Sequence, residues 1–190
     1  MNILRWLALR FFKALGWKLV GDIPQHIKKA VLVVAPHTSN WDGLYGLLFC
    51  FVKQLPIKFA IKKEAMVFPV GSILRWMGAI PIDRARKTKS AESGGSMIQV
   101  MASMLRRQDS LMLIIAPEGT RSRVTRWKQG FYRIALQANV PLVLSYLDYK
   151  QKRIGFGPIF YPTGRYDEDL QQIQAFYRDK VGKYPDQGVQ

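Results

Sequence analysis

The sequence is poor in the residues on which many catalytic sites are built. It has one cysteine, Cys50, and two histidines, His26 and His37. A single cysteine excludes an intrachain disulfide, and nothing points to an oxidising compartment. Cys50 lies in the apolar run Leu47-Leu48-Phe49-Cys50-Phe51-Val52, which offers no base to activate a thiolate, so a buried apolar role is expected. Two histidines with no cysteine set or carboxylate cluster complete no metal site; neither a metal nor a cofactor is expected. A phosphate loop of the form G-x-x-x-x-G-K-[ST] is missing, and so is the G-x-S-x-G turn that would present a nucleophilic serine. Acidic residues are scarce, 13 against 29 lysines and arginines, which leaves a net charge of +16.

What is present describes a folded basic domain. Hydrophobic residues make up 48% and aromatics 12% of the 190 residues, enough for one domain with its own core and too many for disorder. The cationic excess calls for an anionic partner: nucleic acid, an acidic membrane, or a phosphate-bearing substrate.

Residues 1–20 (MNILRWLALRFFKALGWKLV) are apolar but interrupted by Arg5, Arg10, Lys13 and Lys18. The gaps fall short of the roughly 20 apolar residues a spanning helix needs, and Arg10 and Lys13 would cut the core of a signal peptide. On a wheel of about 100° per residue, Asn2, Arg5, Arg10 and Lys13 share one sector. Ile3, Leu4, Leu7, Phe11, Ala14 and Leu15 fill the opposite one, with Trp6 and Trp17 near the boundary. This pattern fits a helix lying in a membrane interface; an amphipathic helix packed on its own core is the alternative.

From residue 21 onward, strand-like and helix-like runs alternate. Val31–Ala35, Ile57–Ile61, Ala79–Ile82, Leu111–Ile115 and Val140–Leu147 read as strands, and residues 153–161 as one or two more. Helices are expected over 41–52, capped by Ser39 or Asn40, and over 69–78, 131–139 and 167–180. A further helix carries the stripe Met97, Val100, Met101, Met104 and Leu105. Residues 86–95 and 122–130 read as polar or basic loops, and the tail beyond Gly182 is expected to fray. The fold class is therefore α/β: a single domain (21–190) with a mostly parallel or mixed sheet flanked by helices, preceded by an amphipathic helix (1–20).

Two loops carry the chemistry. His37-Thr38-Ser39-Asn40-Trp41-Asp42 and Pro117-Glu118-Gly119-Thr120-Arg121-Ser122 each follow a strand-like run, and open sheets of this kind bind ligands at the carboxyl ends of their strands. Five positions apart, His37 and Asp42 would not share a helix face. With His37 in the loop and Asp42 in the first helical turn they can meet. The carboxylate would then fix the imidazole tautomer and leave the other ring nitrogen as a base. A polar loop histidine with no such role is the competing reading; His26, beside Gln25 and Lys28, reads as a surface residue. No serine is presented as a nucleophile, so the proton would come from a substrate hydroxyl. Arg84, Arg121 and, more weakly, Lys128 are candidates to hold a phosphate, with Gly119 allowing close backbone approach. Taken singly, these cations could equally be solvated charges, and Lys62, Lys63, Arg86, Lys87 and Lys89 would contribute general positive field.

Taken together, these segments resemble the glycerophospholipid acyltransferase family, the group containing 1-acylglycerol-3-phosphate acyltransferase. His37–Asp42 matches its histidine–x₄–aspartate motif, Gly78–Arg84 its apolar stretch ending in Asp-Arg, Pro117–Arg121 its Pro-Glu-Gly-Thr-Arg motif, and Val140-Pro141-Leu142 its Val-Pro strand. Lys63-Glu64 lies where similar sequences often carry such a pair. The resemblance implies transfer of a fatty acyl group from acyl-CoA or acyl-carrier protein to a lysophospholipid hydroxyl. By motif position His37 would be the base and Asp42 its partner. Arg84, Glu118, Gly119, Thr120 and Arg121 would shape the acceptor site with Lys128. It also implies a peripheral protein on an anionic membrane surface at the cytoplasmic face, with no nucleic-acid partner. Ala116 and Leu144 depart from the family pattern, which commonly has phenylalanine and a second proline there. Other lyso-lipid acceptors, such as lyso-ornithine lipid, stay open. So do a non-catalytic lipid binder and a nucleic-acid binder using Trp127, Phe131 and Tyr132 as a stacking surface.

Overall fold

The computed structural model describes residues 3–82 and 97–187. Within them the chain runs α1 (Ile3–Ala14), β1 (Lys18–Val20), β2 (Lys29–Val34), α2 (Asn40–Val52), β3 (Ile57–Lys62), α3 (Val70–Trp76) and β4 (Ala79–Ile82). It continues with α4 (Met97–Arg107), β5 (Leu111–Ile115), α5 (Gly130–Ala138), β6 (Leu142–Asp148), β7 (Arg153–Phe160) and α6 (Tyr166–Tyr177). The strands form one seven-stranded sheet in the order β1-β7-β6-β2-β5-β3-β4. Every neighbouring pair is parallel except β6 with β7, so the expected mixed α/β sheet is observed.

Burial on both faces explains the apolar runs of the central strands. Along β2, Val31 and Val33 enter one core with Leu105, Phe131 and Ile173, whereas Ala30 and Leu32 enter the other with Phe12, Phe49 and Ile154. The period-2 alternation of a strand thus feeds two cores from one segment. Helices α4, α5 and α6 contribute to the first; α1 and α2 contribute to the second. In the methionine stripe of α4, Met101 and Leu105 are buried, but Met97 and Val100 are exposed. Cys50 is buried as expected, and burial pushes its thiol pKa up to about 12.

Several boundaries differ from the sequence reading. The first helix stops at Ala14, and Lys18–Val20 is an edge strand paired with β7. Gly16 takes φ +74°. The Gly16 and Trp17 N–H groups donate to the carbonyls of Lys13 and Phe12, a Schellman ending that turns the chain out of the helix. Residues 153–160 are a single strand. The C-terminal segment, expected to fray, is docked through residue 187: Tyr149 N donates to Val181 O at 2.8 Å, and Tyr184 N to Thr38 Oγ1 at 3.2 Å. The loop expected over 86–95, with Arg86, Lys87 and Lys89, lies outside the described residues.

Helix α1 turns only a narrow face inward. Ala8 and Phe12 are buried, and Arg5 Nε donates to Val52 O at 2.9 Å. Ile3, Leu4, Leu7, Phe11 and Leu15, the apolar sector, are exposed. Among the described residues no helix is long and apolar enough to cross a membrane.

Candidate active site

Strands β2 and β5 are parallel neighbours, with Val33 opposite Ile115. Their carboxyl ends therefore open at the same edge of the sheet, and the two motif loops emerge side by side. Strand β6, parallel to β2 on its other flank, ends at that edge too.

The first loop is fixed by a capping box. Ser39 is the N-cap of α2, and its Oγ accepts from Trp41 N at 3.2 Å. Asp42 occupies the third helical position and accepts from the backbone N–H groups of Thr38 and Ser39, both at 2.8 Å through Oδ2. The same oxygen lies 3.2 Å from His37 Nδ1. Tyr149, just beyond β6, donates its hydroxyl to Asp42 Oδ1 at 2.6 Å. Burial by itself would raise the Asp42 pKa. Hydrogen bonds from His37, Tyr149 and the two backbone amides outweigh it and hold the carboxyl below its ordinary value. The pair thus joins a fixed anion to a ring whose side chain is 26% exposed. The second ring nitrogen, Nε2, has no partner among the described residues and is available to a ligand.

The second loop reaches back to the first. Glu118 is buried, and its Oε1 accepts from His37 N at 3.1 Å. Its Oε2 is buried without a hydrogen-bond partner, and burial pushes the Glu118 carboxyl above its ordinary range, though bonds from its own and the His37 backbone N–H pull the other way. Gly119 takes φ +65°, and a Cβ there would stand 2.6 Å from Lys128 Nζ. The positive φ favours glycine at this turn, and the absence of a side chain leaves room for the end of Lys128 to lie across it. Thr120 closes the turn by accepting from Ser122 N at 3.3 Å. Arg121 and Lys128 are exposed, and neither pairs with a carboxylate among the described residues.

His37, Asp42, Glu118, Gly119, Thr120, Arg121 and Lys128 are thus gathered on two adjoining loops. Arg84 lies outside the described residues. His26 is exposed and belongs to neither loop. Among the described residues no three His, Cys, Asp or Glu side chains converge as a metal site would require.

Two features were not found from sequence. One is Tyr149, which anchors the carboxylate from the far side. Trp17 supports it with its ring at 5.0 Å and 86° to the phenol. Its position directly after a parallel strand, at the edge where ligands bind, was the available signal. The other is the C-terminal segment, which straps the first loop. Gly182 packs so closely on Thr38 that a Cβ would meet Oγ1 at 2.8 Å. With its amide nitrogen turned inward, Gln187 donates to Thr38 O at 3.1 Å and Arg121 O at 2.9 Å, one side chain bridging both loops. Nothing in the polar composition of residues 183–187 announces that role.

Comparison with known proteins bears on the family of the chain. Residues 19–145 match the acyltransferase family profile. A 1-acyl-sn-glycerol-3-phosphate acyltransferase of Limnanthes douglasii is 29% identical over 123 residues, 63% of this chain and 41% of the relative. A probable 1-acyl-sn-glycerol-3-phosphate acyltransferase of Mycoplasma pneumoniae (strain ATCC 29342 / M129 / Subtype 1) is 32% identical over 144 residues, 72% of this chain and 52% of the relative. The chain therefore spans about half, or less, of the length of these relatives. The crystal structure of the 1-acyl-sn-glycerophosphate (LPA) acyltransferase PlsC from Thermotoga maritima shares the fold. The TM-score is 0.59 at 17% identity, covering 91% of this chain and 75% of that one.

Proposed function

Because the chain belongs to the acyltransferase family, we propose that it moves a fatty acyl group from acyl-CoA or acyl-carrier protein to the free hydroxyl of a lysophospholipid. The favoured acceptor is 1-acylglycerol-3-phosphate, the substrate named for its relatives. The observation that carries this reading is the His37–Asp42 pair at 3.2 Å, on a loop bonded through the His37 amide to Glu118 of the loop that carries Arg121 and Lys128.

In this mechanism His37 Nε2 takes the proton of the acceptor hydroxyl while Asp42 steadies the ring and offsets the imidazolium charge. The oxygen attacks the thioester carbonyl, a C–O bond forms, and the C–S bond breaks. The departing thiolate takes the proton from the imidazolium, leaving an ester and a free thiol. Arg121, Lys128 and Arg84 bind the acceptor's phosphate, and the turn at Glu118, Gly119 and Thr120 shapes the pocket around it. The net charge of +16 favours donors, acceptors and lipids that are all anionic. The exposed apolar stripe of α1 holds the protein in the membrane interface, as a peripheral protein of the cytoplasmic face.

The test offers labelled acyl-CoA and labelled acyl-carrier protein with a panel of lysolipids and identifies products by mass. Conversion of 1-acylglycerol-3-phosphate to phosphatidate is expected; no transfer from either thioester to any lysolipid refutes the proposal. His37→Ala and Asp42→Asn should each lower thiol release by at least about a hundredfold with the far-ultraviolet spectrum unchanged. Near-normal rates in both would remove the assigned roles.

A further inference from the structure

A second apolar surface stands beside α1. In the segment leading into α3, Phe68 is 87% exposed and Val67 is exposed beside it. Within α3, Val70, Ile73 and Trp76 are exposed as well, Trp76 at 71%. Isolated exposed apolar residues are ordinary; a contiguous set of this size marks a binding surface. The packing shows why they do not turn inward. A Cβ on Gly71 would lie 2.4 Å from Met66 O, so α3 is seated through its glycine against the backbone before it, and its large side chains project away.

This set rests on the same helix, α2, as α1 does. Arg5 of α1 bonds to the carbonyl of Val52, and the preceding residue, Phe51, has its ring 6.4 Å from that of Trp76. The carboxyl end of α2 therefore joins the two elements. Toward its amino end, α2 exposes Trp41 and Leu44, and both Phe11 of α1 and Trp41 lie 6.0 Å from Tyr45. Exposed apolar side chains thus stand on α3, on α1 and at the amino end of α2, the helix that starts at the His37 loop.

Charge decides between occupants. Residues 1–20 carry Arg5, Arg10, Lys13 and Lys18 and no carboxylate, and residues 56–82 carry Lys58, Lys62, Lys63 and Arg75 against Glu64 alone. A second copy of the chain would bring this cationic surface against itself. Residues 83–96 hold no apolar side chain larger than alanine and could not cover the patch by apolar burial. An anionic bilayer satisfies both halves, with acyl chains for the aromatic and aliphatic side chains and headgroups for the cations.

We infer that α3 and the Val67-Phe68 hook form a second membrane-inserting element, which docks with α1 and sets the His37 loop at the lipid–water boundary. This rests on the interfacial role proposed for α1 and extends it. A lysolipid would then reach His37 from the side, its headgroup meeting the cations while its chain stays among lipids.

The experiment measures co-sedimentation of the full chain with vesicles of phosphatidylcholine containing phosphatidylglycerol. Phe68→Asp and Ile73→Asp are compared with Leu7→Asp on α1 and with Tyr161→Asp. Tyr161 is exposed beyond β7, whose last residue, Phe160, pairs with Leu142 at the amino end of β6, away from the end of the sheet that carries the His37 loop. Phe68→Asp and Ile73→Asp should each weaken partition about ten- to a hundredfold with the melting temperature kept, and Tyr161→Asp should not. Transfer to vesicle-borne acceptor should fall in step, and transfer to a short-chain acceptor dissolved as monomer should not. Wild-type partition in both α3 variants, with Leu7→Asp defective, would overturn the role of α3 and leave that of α1. Loss of melting temperature or of soluble-acceptor activity would make these residues structural and overturn it too. A wild-type dimer in sedimentation that Phe68→Asp dissociates would assign the patch to a second copy and overturn it. Vesicle binding in the expected pattern without any acyl transfer would refute the proposed activity but uphold the surface.

Discussion

Glu118 is held where a charge is unwelcome. One carboxylate oxygen has the His37 amide; the other is buried with no partner. Because burial raises its folded pKa above the ordinary 4.5, its contribution to stability is complete below about pH 4.5 and is lost as the pH rises through the folded value. Glu118→Gln stays neutral throughout. Its melting temperature, relative to wild type, should therefore stand higher at about pH 7.5 than at about pH 4.5; equal differences at both would show that ionisation is not felt. Asp42 behaves oppositely. Its folded pKa is depressed below 3.8, so its stabilising bonds persist down to that range and fail only as the pH falls through it. Tyr149→Phe removes the 2.6 Å bond to Asp42 and leaves a carboxylate lone pair unmet. Urea unfolding should show a loss of about 1–2 kcal/mol. Turnover should drop with little change in KM for a soluble acceptor, as expected of a positioning residue. At this scale the sequence was legible wherever partners lie within one loop: the His37–Asp42 pairing follows from a capping position. Tyr149 was not legible, because its partner lies |i−j| = 107 away and only the sheet order brings them together.

The element that changes most between sequence and structure is the C-terminal segment. A polar stretch after a helix reads as a loose end, since composition reports apolar burial and this segment is held mainly by hydrogen bonds and close packing. Gly182 against Thr38, Tyr184 N on Thr38 Oγ1 and the Gln187 bridge make it part of the loop that carries His37. Gly182→Val should push that loop outward and lower turnover about ten- to a hundredfold, while the sheet, and hence the far-ultraviolet spectrum, is unaffected. Normal turnover would mean that the strap holds nothing in register. The central strands were readable because β2 and β5 are buried on both faces and must be continuously apolar. Strand β1 was hidden: Lys18–Val20 is short, and only the turn at Gly16 separates it from the helix whose composition it shares.

Over the whole molecule, charge and apolar exposure act on different length scales. Electrostatic attraction to an anionic surface is screened beyond about 8 Å at physiological salt and about 3 Å at 1 M; apolar insertion is not. Binding to phosphatidylglycerol vesicles should therefore weaken between about 0.05 M and 0.5 M salt but not vanish. Salt-independent binding, measured by co-sedimentation, would show that the +16 charge is not engaged.

The pairing of β2 with β5 has a further consequence. The spacing between the imidazole and the glutamate turn is set by backbone bonds between two strands at the centre of the sheet, Lys29 beside Leu111 through Val33 beside Ile115. The two strand ends from which the loops spring cannot shift against each other while those strands stay zipped, and a slip of one residue would turn every side chain of β2 into the wrong core. Heat that separates β2 from β5 should therefore end chemistry and cooperative structure together, and no catalysis should outlast the sheet.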